Sequence, residues 1–304
     1  MTENNRTIKV CLACDDNYSK YAGVVIASVL ANSAEDEKQA FYILDGGVSD
    51  EHKSQINELK SIKDCEINFV PIDESLFEDY KKVKTHDYIT IATYYRLKLP
   101  SLLPNVDRVI YFDCDFVVNS SLKELYNIDM GDFAVAGVLD INKKMVKKNP
   151  TYVNAGMLVM DIDNMRAQGL EEKFLEWTKE HKDTIKTGDQ EIINEVLKGK
   201  IKIVDDEWNV QSSNFTNRSS YTKHPRAIHY VARKKPWHFG SFSYHRGLYF
   251  KYLQMTPWKL SDKDLKHWTV DNQICSLFKY IQYRPLFLLR PRFYKALYYT
   301  YLKR

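Results

Sequence analysis

The amino-acid sequence predicts an α/β fold built on a mostly parallel sheet. Over the first 205 residues, short apolar runs alternate with longer segments of helical period, the pattern of strands joined by crossover helices. A length of 304 residues suits one large domain or two modest ones, and 44% hydrophobic with 28% charged residues is a globular composition able to bury a core.

The first run, Ile8 to Ala13, is an apolar strand. Tyr21 to Asn32, free of proline and dense in Ala, Val and Leu, predicts a helix. Ala40 to Leu44 reads as the second strand and Ser49 to Ile62 as a charged, periodic helix. Cys65 to Pro71 is the third strand, Ile91 to Leu99 a helix, and Arg108 to Phe112 the fourth strand. Ser120 to Tyr126 is helical, and Phe133 to Leu139 and Met157 to Met160 are strands. The helices Leu170 to His181 and Asp189 to Lys198 follow, the second with Asp189 at its start, and Ile201 to Val204 is the last strand. Residues 206 to 245 crowd Gly, Pro, Ser, Asn and His together and read as irregular.

The formal charge of +4 is unevenly spread. Residues 246 to 304 hold 12 Lys and Arg against 3 acids, so residues 1 to 245 hold 32 against 37. From Gln273 onward there is no acid, and Lys279, Arg284, Arg290, Arg292, Lys295, Lys303 and Arg304 are interleaved with nine aromatics between Phe278 and Tyr301. A body over 1–245 and a basic aromatic segment over 246–304 are therefore expected to do different jobs. The start, MTENNRTIKV, has no basic-then-apolar signal segment. No apolar run approaches the roughly 18 residues of a spanning helix, and the mean hydropathy is -0.46. The expected location is the cytoplasm, and the five cysteines are expected as reduced thiols.

Five clusters carry chemistry. Cys11 and Cys14 are not one of them: on a strand their offset of three points the thiols to opposite faces, and no second CxxC completes a zinc site. In open α/β sheets ligands bind at the carboxyl ends of strands, where Asp15-Asp16-Asn17-Tyr18 follows the first strand; helix capping is the plainer alternative. The sharpest cluster is Asp113-Cys114-Asp115, which ends one apolar run and begins another, Phe116-Val117-Val118. Carboxylates two residues apart at a strand end lie on one side and can share a hard cation with phosphate oxygens. Near a core such charges must be paired or bind a metal. Asn154-Ala155-Gly156 offers small residues for close backbone approach beside a donor and acceptor amide. Gly188-Asp189-Gln190 precedes a helix, where Asp189 by itself is an N-cap. His229, at the end of Ala227 to Val231 and followed by Arg233, Lys234 and Lys235, offers an imidazole ligand and cations for phosphate.

Taken in order, these clusters resemble those of glycosyltransferase family 8, retaining enzymes that include bacterial lipopolysaccharide galactosyl- and glucosyltransferases. The likeness runs from about Ile8 to His238. It implies the nucleotide-sugar transferase type A fold (GT-A), with a Rossmann-like mixed sheet and flanking helices. It also implies a UDP-sugar donor, its uridine held by Ala13, Asp15, Asn17 and Tyr18. Asp113-Cys114-Asp115 matches the family's Asp-x-Asp, which binds Mn2+ (Mg2+ being possible) at the donor diphosphate, and His229 matches the third protein ligand. Lys235 would meet the diphosphate, while Arg96, Asp140, Asn154, Ala155, Asp189 and Gln190 match the donor-sugar site. Gln190 stands where the family places its disputed nucleophile, and same-face attack with Gln190 and Asp189 stabilising the cationic centre is the favoured chemistry. The family commonly has Gly where this chain has Ala232, a strained choice if that position needs φ > 0.

The acceptor implied is a saccharide or lipid-linked saccharide, and Lys143, Lys144, Lys147 and Lys148 between two donor motifs suit an anionic one. The basic aromatic segment resembles the membrane-associating C-termini of bacterial members, implying peripheral attachment to an anionic inner surface and no nucleic acid. Two alternatives stay open. A haloacid-dehalogenase-type phosphatase would use Asp113 as nucleophile and Asp115 as general acid, with Asp205-Asp206 as its last motif. A non-catalytic nucleotide-sugar-binding protein would keep the fold alone.

Overall fold

The computed structural model describes residues 7–83, 90–213, 222, 224–283, 285–289, 291 and 294. Its strands are β1 (Ile8–Cys14), β2 (Gln39–Asp45), β3 (Glu66–Pro71), β4 (Arg108–Phe112), β5 (Phe116–Val118), β6 (Val135–Leu139), β7 (Val153–Asp161), β8 (Ile201–Ile203), β9 (Val210–Ser212) and β10 (Ala227–Tyr230). Seven form one sheet in the order β3-β2-β1-β4-β7-β6-β8, and the other three form a small sheet, β5-β10-β9. In the large sheet β1, β2, β3 and β4 run parallel, as do β6 and β8, while β7 is antiparallel to both neighbours. The sheet is thus mostly parallel, as predicted, with β7 as the inversion.

Helices cover both faces of the large sheet, so its central strands are buried throughout and read as continuous apolar runs. Val10, Leu12 and Cys14 of β1 join Ile110 and Phe112 of β4 in one core. Cys11 joins Val109 and Tyr111 in the other. The period of two therefore sends the two cysteines to opposite faces, and both are free thiols.

The helix Ser19–Ala31 is buried along almost its whole length because it lies between the large sheet, the small sheet and the helix Arg246–Leu253. Ser28 Oγ donates to the Val25 carbonyl (2.7 Å) and accepts from the Val118 N–H (2.9 Å), tying the helix to β5. Asn32, just past the helix end, gives its amide hydrogens to the Val118 carbonyl (3.1 Å) and the Tyr252 hydroxyl (2.8 Å). Segment 246–304 accordingly begins inside the body: Tyr249, Tyr252 and Leu253 pack with Val24, Val117 and Ile228. Beyond it run the helices Asp262–Lys266 and Asn272–Tyr283. Arg284, Arg290, Arg292, Lys295, Lys303 and Arg304 lie outside the described residues, as does the side chain of Lys279. Among the described residues no helix is long and apolar enough to cross a membrane.

Several boundaries differ from the sequence reading. The run Arg108 to Val118 is two strands in different sheets, and the stretch read as irregular contains β9 and β10. Strand pairing, which a local reading does not register, makes those three-residue and four-residue runs into sheet. Met157 to Met160 is the centre of a nine-residue strand that includes Asn154-Ala155-Gly156. Ile91–Lys98 is wound as a 3-10 helix and turns α at Leu99. There Pro100 lacks the N–H that a continuous α-helix would give the Arg96 carbonyl. The segments Ser49 to Ile62 and Ser120 to Tyr126 are α-helical only over Asp50–Glu58 and Lys123–Tyr126.

Candidate active site

Asp113 and Asp115 stand where the chain leaves one sheet and enters the other. The Asp113 N–H still bonds the Gly156 carbonyl (2.8 Å), extending the β4–β7 ladder by one residue. The Asp115 carbonyl already accepts from Tyr230 N (2.9 Å), which opens the pairing of β5 with β10. The two carboxylates therefore project from a turn held at both ends. Cys114 between them also lines the cleft, but its thiol turns to the Ala13 carbonyl (3.3 Å). A hydrogen bond with Cys14, together with burial, pushes its pKa up.

His229, in the middle strand of the small sheet, stacks on Phe116 with ring centroids 4.3 Å apart. Its Nε2 lies 3.1 Å from Asp115 Oδ1 and 3.9 Å from Asp113 Oδ2. On the other side of the ring, Nδ1 is 3.0 Å from Asn154 Oδ1. Asp115 Oδ1 is buried and without a hydrogen bond, although it faces Nε2. An acceptor oxygen and a ring nitrogen turned to each other in this way are what a cation between them would satisfy. Ligands about 2.1 Å from a small octahedral cation stand about 3 Å from one another. One ligand atom each from Asp113, Asp115 and His229 lies within 4.8 Å of the others, so these residues fit a divalent metal.

The charges around this cluster are balanced by two cations. Lys235 Nζ bonds Asp115 Oδ2 and the Tyr230 carbonyl (2.8 Å). Burial raises the Asp115 pKa, but Lys235 and His229 outweigh it and hold that carboxyl well below the usual range. Arg96, almost fully buried, donates from Nη2 to Asp113 Oδ1 (2.6 Å) and lies over the Tyr111 ring at 4.0 Å. Its Nε gives its hydrogen to the Thr93 carbonyl (3.1 Å) and stands 3.0 Å from Asp189 Oδ2 as a charge contact, leaving that oxygen without a hydrogen bond. Burial lifts Asp189 to about 7, with Arg96 opposing and the Asp113 charge adding to the rise.

On the far side, Gln190 Oε1 accepts from the Ala155 N–H (3.1 Å) and Asn154 Nδ2 (3.2 Å), and its Nε2 donates to Asp140 Oδ2 (3.2 Å). Ala13, Asp15 and Tyr18 border the same cleft at the end of β1. Asp15 also caps the turn that follows, accepting from the Tyr18 N–H at 3.0 Å. Burial, with the Asp115 charge next, pushes the Tyr18 phenol up to about 12.

Of the donor-site and metal-site residues that the family resemblance implies, Asn17 alone is not among those lining the cleft. It sits on the outside of the short 3-10 turn Asp16–Tyr18, whose Asp16 is tied instead to Ser49 N and His52. Asp205 and Asp206, which a phosphatase would need beside Asp113, are likewise absent from the lining. Ala232 lines the cleft with φ at +70°, so the position does demand the left-handed region, where an L-side chain is strained. Trp237 stacks on Tyr21 (3.9 Å) and pins this segment to the first helix.

The small residue at 156 has a reason different from close approach to a ligand. A Cβ there would lie 2.2 Å from His229 Cε1 and 3.0 Å from Asp113 Oδ2, so glycine makes room for two of the three metal-site residues. Sequence reasoning also missed Asn209, a fully buried amide bonded to Asn154, and Tyr111 beneath Arg96. Asn209 had no local signal because it follows a turn with no regular period, and Tyr111 read only as part of an apolar strand.

The model of the family described as Glycosyl transferase family 8 matches residues 9–240. A putative glycosyltransferase of Haemophilus influenzae is 33% identical over 251 residues, covering 77% of this chain and 74% of its own. The lipopolysaccharide 1,2-glucosyltransferase of Escherichia coli is 26% identical over 282 residues, covering 84% and 81%. Among solved structures, galactosyltransferase LgtC in complex with donor and acceptor sugar analogues superposes with a TM-score of 0.72 at 24% identity, covering 84% of this chain and 98% of that one. The fold is the GT-A fold expected from the motifs.

Gly156→Ala should weaken divalent-metal binding at this cluster at least about tenfold, since displaced ligands cost no less than the 10–100-fold of displaced outer partners. It should cost about 1–3 kcal/mol of stability. A Mn2+ titration beside urea unfolding checks both, and a variant that binds Mn2+ as well as the parent would refute the packing argument. In chelator, Asp189 contributes a stability that varies with pH. Its folded pKa is raised, so the contribution is complete below the unfolded carboxylate's pKa of about 4 and is lost as pH rises through about 7. The difference between urea-unfolding profiles of the parent and Asp189→Asn should therefore slope across that window; a flat difference contradicts it.

Proposed function

This chain belongs to glycosyl transferase family 8, and within that family we propose that it moves a hexose, galactose or glucose, from a UDP-sugar to a saccharide or lipid-linked saccharide with retention of anomeric configuration. The observation that carries the proposal is the unpaired, buried Asp115 Oδ1 facing His229 Nε2 beside Asp113. The site would hold Mn2+, or Mg2+, through those three residues. Such an ion supplies Lewis-acid neutralisation of the charge that builds on a departing diphosphate.

The chain's own residues account for the rest. Ala13, Asp15 and Tyr18 would receive the uridine, and Lys235, now on Asp115, would turn to the diphosphate. Arg96, Asp140, Asn154 and Ala155 would hold the sugar. Gln190 Oε1 already accepts two hydrogen bonds, which weakens it as a nucleophile and favours attack from the face of departure. In that step the anomeric carbon–oxygen bond breaks with its electron pair going to the diphosphate. The acceptor hydroxyl bonds to the anomeric carbon, and its proton passes to the departing phosphate oxygen. Gln190 and Asp189 would stabilise the cationic centre, which a buried carboxylate does well in a low dielectric.

The exposed lysines Lys143, Lys144, Lys147 and Lys148 form a short helix that begins three residues past Asp140, and they suit an anionic acceptor. The relatives named for lipopolysaccharide glucosyl and galactosyl transfer make a cell-surface glycan the favoured product. The basic C-terminal segment would hold the enzyme against the inner membrane surface from the cytoplasm. In support, Ile274, Phe278, Leu286 and Leu289 are exposed there among the cationic residues of the sequence.

Calorimetric titration with UDP tests the reading: binding should need Mn2+, disappear with chelator and be lost in Asp115→Ala. Transfer or donor hydrolysis by Asp115→Ala at the parent rate would remove the metal from the mechanism. Replacing Phe278 and Leu286 with Glu should release the protein from anionic vesicles in a sedimentation assay while UDP binding persists. Unchanged sedimentation would rule the segment out as the anchor.

A further inference from the structure

We infer that Asn209 is a positioning residue for the metal centre: it holds the Asn154 amide with its oxygen toward His229, leaving the His229 Nε2 lone pair directed at the two aspartates. The inference rests on the metal site proposed above, and it gives a role to a residue on no sugar-facing or metal-facing surface.

The geometry fixes each atom in turn. Asn154 Oδ1 receives the Gly156 N–H at 3.2 Å, and a backbone N–H can only donate, so this end of the amide is the oxygen. Asn209 Nδ2 donates to the same oxygen at 3.0 Å. His229 Nδ1, also 3.0 Å away, must then carry its hydrogen to bond it. On a neutral ring that leaves Nε2 bare, 3.1 Å from Asp115 Oδ1. Imidazole ligands are set in this way by what the second nitrogen bonds.

Asn209 is fully buried, yet its own Oδ1 has no hydrogen-bond donor. Among the described residues, its side chain bonds only Asn154. Burying a half-satisfied amide costs stability, which an apolar side chain of the same shape would recover. Its placement follows from the small sheet: Asn209 precedes β9, which pairs in parallel with the β10 strand carrying His229. The other end of the Asn154 amide donates to Asp140 Oδ2 (3.3 Å) and Gln190 Oε1 (3.2 Å). One amide orientation therefore serves both the metal side and the sugar side of the cleft, and Asn209 holds it from behind.

Two variants and three measurements test this. Asn209→Leu removes the donor while keeping the volume, and Asn209→Asp sets an oxygen against Asn154 Oδ1 and should push that amide away from His229 Nδ1. The full chain is titrated with Mn2+ alone, without nucleotide, by the electron paramagnetic resonance of free Mn2+. Urea unfolding is followed in chelator. The His229 tautomer is read in metal-free protein from imidazole nitrogen–proton correlation spectra. Mn2+ affinity should fall about 10- to 100-fold in both variants, while Asn209→Leu unfolds at the same or higher urea concentration. The tautomer should be Nδ1–H in the parent and Nε2–H in Asn209→Asp. A residue of merely structural importance would lower stability and leave the tautomer alone. Parent-like Mn2+ affinity in the variants, or Nε2–H in the parent, overturns the inference. If the parent binds no Mn2+, the metal site itself fails, and the tautomer still decides what Asn209 does. If neither variant folds, the parent spectrum alone decides.

Discussion

The organisation of the cleft depends on compensating three carboxylates at the edge of a core. Asp115 and Asp189 are buried and Asp113 is partly so, and an uncompensated charge at such a depth would either unfold the region or take up a proton. Arg96 lies between Asp113 and Asp189, and Lys235 caps Asp115. The compensation is uneven. Asp115, with Lys235 and His229 against it, is held in its ionised form, whereas Asp189 shares one guanidinium with a competitor and is lifted to about 7. Two carboxylates of one site are thereby poised differently: one ready to hold a cation, the other able to respond to positive charge that appears beside it.

Backbone geometry makes this arrangement possible. The chain passes from β4 of the large sheet to β5 of the small one within three residues, and both aspartates lie in that passage. The imidazole arrives from β10, antiparallel to β5, so metal-site residues from distant parts of the sequence meet where the two sheets touch. They meet closely enough that β7 must present a bare backbone at Gly156, one residue before its side chains resume packing as Met157. Residues 154 to 156 thus join His229 to Gln190 and Arg96, through the amide of Asn154, the N–H and carbonyl of Ala155, and the space left by Gly156.

The small sheet is held from outside by the first helix and by the helix Arg246–Leu253. Ser28 and Asn32 both bond Val118, and Tyr252 bonds Asn32 and Asn119. A segment whose composition sets it apart in charge is, at its beginning, part of the scaffold that fixes His229. Only further along does it turn apolar residues outward. Ala232, strained at φ +70° in the segment between His229 and the Trp237 anchor, is among the described residues lining the cleft the one non-glycine in the left-handed region.

Much of this was legible beforehand. The alternation of strand and helix gave the class of fold, because strands buried on both faces must be apolar and helices must be amphipathic, and both patterns are local. Asp113, Asp115 and His229 stood out because charged residues inside apolar runs demand a partner. Asn17 went astray because a three-residue turn does not reveal which of its side chains faces inward. The need for glycine at 156, the amide relay from Asn209 through Asn154 to His229, and the inversion of β7 had no local signature. The relay joins residues 55 and 75 positions apart, and the other two likewise come from contacts between separate strands. The sequence by itself determined which residue types were available for the chemistry; pairing of the two sheets decided which atoms face one another, since distance and hydrogen-bond direction exist only once the chain has closed on itself.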